Sequence, residues 1–70
     1  MTRAKFFEIL KSVHAAPSES WMAIPIHETP LDSLDLMMLR SALEASLKQG
    51  ISDNLWFESQ TLNELLIGLT

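Results

Sequence analysis

Seventy residues make one small domain, close to the lower size at which a single apolar core is sufficient. There is no cysteine, which excludes disulfides and thiolate metal sites, and the two histidines lie thirteen apart, which disfavours a compact imidazole site. Regular helix packing is therefore the support that remains, and 47% hydrophobic against 20% charged residues excludes wholesale disorder.

The net charge of −4 is unevenly placed: Arg3, Lys5 and Lys11 open the chain, and from Glu19 onward eight carboxylates face only Arg40 and Lys48. Binding to a nucleic-acid backbone needs clustered cations, so that class is set aside. An acidic module suits a basic partner surface, although solubility alone accounts for the same charge. No apolar run approaches the roughly eighteen residues that span a bilayer, and the N-terminus lacks a signal peptide's apolar stretch. A cytoplasmic protein without membrane association is the expectation, with a monomer as the default.

In chain order, TRAKFFEILKSVHAA carries Phe6, Leu10 and Val13 at helical spacing, widened by Phe7 and Ile9. Thr2 is its expected N-cap, and Pro17 ends it soon after Ala16. PSESWMAIPIHETP has three prolines in fourteen residues, so it cannot be one regular element. Its Trp21, Met22, Ile24 and Ile26 are nevertheless too apolar for a free linker. An ordered loop laid over the core, with one helical turn near Ser20 and no strand pair, is expected.

The longest helix is read from Ser33 to Gln49, with Leu36, Leu39, Leu43 and Leu47 as one stripe and Gly50 as its left-handed stop. ISDNLWFESQ lacks alternation and reads as a brief helical turn. TLNELLIGL closes the chain, with Thr61 and Glu64 as a capping box and Leu62, Leu65, Leu66 and Leu69 as its buried side. The expected fold is all-α: a small four-helix bundle of three main helices and a short third one, with a long loop between the first two. Residues 1–70 form a single unit that reads as free-standing, with an excised domain as the alternative.

One stretch carries chemistry. In PLDSLDLMM the hydroxyl of Ser33 sits between Asp32 and Asp35, where loop becomes helix. By itself D-S-L-D is a good helix start: Asp32 caps, and Asp35 meets the dipole and unpaired N–H groups of the first turn. In an acidic helical chain of this length it also resembles the acyl and peptidyl carrier proteins, whose D-S-L opens helix two. Asp32, Ser33 and Leu34 stand in those positions, and LDLMMLRSALE is similar to the family's helix two, down to the Leu43-Glu44 pair.

A second patch is independent of the first. Carrier domains of polyketide synthases and nonribosomal peptide synthetases often end in a hydrophobic–Phe–Asp–x–Pro–Thr–Leu–x–x–Leu pattern, and WFESQTLNEL matches it with Phe57, Glu58, Thr61, Leu62 and Leu65. The likeness covers roughly residues 3 to 69, with both patches in register.

The resemblance implies a protein that catalyses nothing itself. It would tether acyl or aminoacyl/peptidyl intermediates as thioesters on a 4'-phosphopantetheine arm attached to Ser33, in a specialised polyketide or nonribosomal peptide pathway. Implied partners are a phosphopantetheinyl transferase, an acyl- or aminoacyl-loading enzyme, and downstream synthase or tailoring enzymes. Asp32 would help the transferase place its magnesium and cofactor, and Leu34 would lie beside the arm. Asp35, Met37, Met38 and Arg40 would be partner contacts, with Arg40 and Lys48 otherwise solvated charges.

Two departures bear on this. The family's Leu-Gly-x before D-S-L is Thr29, Pro30 and Leu31 here, and Gln60 replaces the proline before Thr61. Helix two also shows Leu36, Met37, Met38 and Arg40 where fatty-acid carriers display carboxylates, which favours the specialised pathway. Met37 and Met38 are adjacent, so both cannot face one core. The alternative reading is a carrier-fold interaction module without a prosthetic group. A small enzyme finds no support, because the chain has no glycine-rich phosphate loop and no recognisable Ser-His-Asp arrangement.

Overall fold

The computed structural model describes residues 1–69. Four helices appear in it: α1 (Arg3–Val13), α2 (Ser33–Leu47), α3 (Asp53–Glu58) and α4 (Leu62–Leu69). Between α1 and α2 the chain makes two 3-10 turns, Glu19–Met22 and Ile26–Glu28. The small all-α bundle with one long crossover loop is therefore as the sequence implies.

Each helix starts on a side chain that accepts from one of its unpaired N–H groups. Thr2 Oγ1 accepts from the Lys5 N–H at 3.1 Å, and Ser52 Oγ accepts from the Leu55 N–H at 3.2 Å. At α4, Thr61 Oγ1 accepts from Glu64 N at 3.1 Å while Glu64 Oε2 accepts from Gln60 N at 2.7 Å and Thr61 N at 3.2 Å. A proline at 60 could not make the shortest of these bonds, so Gln60 strengthens the cap that the familiar pattern leaves weaker.

The core draws on every main helix and on the loop. Phe6 and Leu10 of α1, Leu39 and Leu43 of α2, and Leu62 and Leu65 of α4 are fully buried, together with Met22 from the first 3-10 turn. Leu31 and Thr29 are buried just before α2, and the Thr29 hydroxyl is satisfied by donating to the Ile26 carbonyl at 2.6 Å. The loop is tied down a second time where Ile26 N–H donates to the Gln60 carbonyl at 2.8 Å, beside an isolated bridge between Pro25 and Thr61. The crossover is thus an ordered cover on the core, as its apolar content requires.

Two helix ends differ from expectation. α1 stops at Val13, with His14 extended and Ala16 left-handed at φ 52°, because Pro17 disfavours helical backbone before it. α2 stops at Leu47, and the left-handed residue is Lys48 (φ 58°), not Gly50. The reversal is complete before Gly50 is reached: Gln49 N–H folds back on the Glu44 carbonyl at 3.3 Å, and Ile51 N–H donates to Glu44 Oε2 at 2.7 Å. Among the described residues no helix is long and apolar enough to cross a membrane.

Candidate functional site at the start of helix α2

The local sequence builds a rigid corner. Asp32 is the N-cap of α2, and its Oδ1 accepts from Asp35 N–H at 2.8 Å; in return Asp35 Oδ2 accepts from Asp32 N–H at 3.4 Å. This capping box engages both carboxylates that flank Ser33. Leu31 and Leu36 occupy the positions just before the cap and four residues after it, and both belong to the core packing. These are the two positions of a hydrophobic staple, the arrangement that fixes the entry angle of a chain into a helix. With Pro30 restricting the approach and Leu31 anchored, this corner needs no glycine before Asp32.

Ser33 stands on that corner as the first residue of α2, exposed, and its hydroxyl bonds to no described residue. The N–H groups of Ser33 and Leu34 are likewise open, since the box takes up only those of Asp32 and Asp35. Open amides at the start of a fifteen-residue helix favour an anion.

Beyond Ser33 the outward face of α2 is apolar. Leu34 is 63% exposed, Met37 68% and Met38 44%. At 100° per residue these three share one face with Ser41 and Ala45, which are also exposed. These five residues carry no ionisable group, in a chain whose net charge is −4, and Glu44 borders them about 20° from Met37. The adjacency of Met37 and Met38 is resolved by exposing both, and neither packs in the core.

Arg40 is a correction. Its side chain is only 24% exposed and engaged inside the molecule. One guanidinium nitrogen donates to the Ile51 carbonyl and to Asp53 Oδ1, both at 2.7 Å, and the group lies 5.6 Å from the centre of the Trp56 ring. Its Nε is also 3.7 Å from Glu44. Arg40 holds α3 against α2 and is not the solvated charge the sequence suggests. The i, i+4 spacing from Arg40 to Glu44 was visible in sequence; the reach to Ile51 and Asp53 was not.

Between the loop, α2, α3 and α4 lies a cleft of about 600 Å³, within the range of small-molecule sites. Ile26, Leu36, Trp56, Phe57 and Leu62 give it apolar walls, and His27 and Gln60 lie at the same cleft. Leu36 follows Ser33 by one turn, so the serine and the cleft share the α3 side of α2. Sequence reading named none of this cavity, although Trp56 and Phe57 side by side on a six-residue helix were its trace. Phe57, 76% exposed, is the residue whose apolar area the fold leaves most open.

Of the two histidines, only His27 lies at this cleft, and neither belongs to the corner at Ser33. His14 packs edge-on against Trp21 with ring centres 5.2 Å apart, and His27 is exposed beside Glu28 at 3.9 Å. No family model, no curated protein and no solved structure matches the chain.

Proposed function

We propose that this chain is a carrier: a small helical module that holds a reactive intermediate on a covalent arm at Ser33 and presents it to other enzymes. Specifically, it is a phosphopantetheine-dependent acyl carrier protein of the polyketide or nonribosomal peptide kind, acting in the cytoplasm. The observation that carries this reading is the unbonded, exposed Ser33 hydroxyl on a helix start made rigid by the Asp32–Asp35 box.

The residues present fit the arm. A phosphodiester on Ser33 would meet the open N–H groups of Ser33 and Leu34 and the positive end of the α2 dipole. The arm supplies a terminal thiol, which a chain without cysteine otherwise lacks. The protein's own part is to hold the attachment point still, which raises the effective concentration of the cargo at each partner's active site. Asp32 and Leu34 stand beside the arm, and Asp35, Met37 and Met38 are the partner contacts, with Arg40 contributing only the part of its side chain that its bonds to α3 leave exposed. Partners are the phosphopantetheinyl transferase, a loading enzyme, and a synthase or tailoring enzyme that takes the cargo.

The test is intact mass after incubation with coenzyme A, magnesium and a broad-specificity phosphopantetheinyl transferase, beside Ser33→Ala. The parent gains one phosphopantetheine and the variant none. A folded parent that gains nothing with several transferases leaves the second reading, an interaction module without the arm. The feature favouring that module is the apolar strip Leu34–Met37–Met38, which does not depend on the serine.

A further inference from the structure

Four methionines sit in very different surroundings. Met22 is fully buried, whereas Met37 and Met38 are 68% and 44% exposed on the face of α2 that follows Ser33. Met1 is partly buried and packs against the core. Exposed thioethers meet peroxides directly, while a buried one is protected as long as the fold holds.

The surroundings give this pair a consequence that an isolated surface methionine lacks. Leu34, Met37, Met38, Ser41 and Ala45 themselves form an uncharged strip; Glu44, which borders it seven residues after Met37, is engaged by Ile51 N–H at 2.7 Å and lies 3.7 Å from Arg40 Nε, and Lys48 stands just past its end. The cation nearest to it on α2, Arg40, is held by Ile51 and Asp53. Asp35, at its edge, is held in the capping box. Docking on this strip therefore rests on apolar contact, and two of its three large apolar side chains are methionines.

We infer that Met37 and Met38 are a peroxide-sensitive modification site that switches docking at Ser33 off; this rests on the carrier reading above. A sulfur lone pair attacks one oxygen of a hydroperoxide, the O–O bond breaks and an S–O bond forms. The thioether is oxidised by two electrons to the sulfoxide, and the peroxide is reduced to water or an alcohol. The product places a strongly dipolar oxygen where a partner would bury a sulfur, so contact costs desolvation. Both side chains lie outside the core, so the bundle itself tolerates the change. A thiol-dependent methionine sulfoxide reductase returns the original side chain, which makes the switch reversible.

The experiment treats the folded protein with graded hydrogen peroxide, maps each methionine by tandem mass spectrometry, and then measures loading by the transferase with coenzyme A. Oxygen should enter Met37 first and Met38 next, with Met22 spared and the helical circular dichroism unchanged. The kcat/KM for loading should fall about tenfold, equivalent to about 1.4 kcal/mol, and the reductase should restore it. The Met37→Leu/Met38→Leu double variant is compared with itself: its kcat/KM, whatever the starting value, should be the same before and after peroxide. Oxidation of Met22 as early as Met37 overturns the site, and an oxidised parent loaded as fast as the untreated one overturns the switch. A double variant that slows as the parent does places the damage elsewhere and also overturns it. If the untreated parent is never loaded, the carrier reading falls and the switch with it, an outcome distinct from equal loading of both forms.

Discussion

Arg40 and Asp53 meet at 2.7 Å across thirteen residues of chain, and the same guanidinium nitrogen holds the Ile51 carbonyl at 2.7 Å. This junction sets where α3 lies, and α3 supplies the Trp56 and Phe57 walls of the cleft that Leu36 lines from α2. The two ends of the pair are unequal, because the Arg40 side chain is 24% exposed and the Asp53 side chain 77%.

That inequality orders two substitutions. Arg40→Ala removes the bond to the Ile51 carbonyl, the contact with Trp56 and stem packing, and should cost about 1–3 kcal/mol in urea unfolding. Asp53→Asn leaves the carbonyl bond intact and should cost less than about 1 kcal/mol. Equal losses would mean that the exposed ion pair, and not the carbonyl bond, holds α3.

The corner at Ser33 rests on a cap, so Asp32→Ala should destabilise by about 0.5–2 kcal/mol in the same measurement. Ser33→Ala should change stability far less, because that hydroxyl makes no bond within the described chain. A large loss from Ser33→Ala would show the serine to be structural.

The two glycines should respond oppositely to alanine. A Cβ on Gly50 would stand 3.5 Å from Glu44 Oε2, an ordinary contact, and its φ is not positive. Gly50→Ala should therefore be neutral or stabilising by about 0.4–1 kcal/mol. A Cβ on Gly68 would run into Leu55 Cδ1, so Gly68→Ala must shift the Leu55 side chain out of its present packing, at about 1–3 kcal/mol. Pairing it with Leu55→Ala should recover part of that loss, and strict additivity would place the strain elsewhere.

Lys48 holds the left-handed position that ends α2. Lys48→Gly removes the steric cost of φ 58°, about 1 kcal/mol, and should raise the melting temperature by roughly 4–8 °C for a domain of this size. An unchanged melting temperature in differential scanning calorimetry would show that the turn after Leu47 is not under backbone strain.

Much of this molecule is local and so could be read along the chain. Thr2, Asp32 and Thr61 cap their helices because each side chain reaches N–H groups three residues ahead. Leu39, Leu43, Leu62 and Leu65 are buried because helical period fixes which residues share a face. The position of Ser33 at a helix start follows from the same short-range rules.

What the sequence could not decide depends on contacts between distant segments. The stop of α2 at Lys48 needs Ile51 N–H to find the Glu44 carboxylate. Arg40 changes from a surface charge to a bracket only because Ile51, Asp53 and Trp56 are brought to it. The cleft exists only once the loop, α2, α3 and α4 are packed, and the exposure of both Met37 and Met38 is fixed by which side of α2 those elements cover. Periodicity assigns residues to faces; packing decides which face is left to meet a partner.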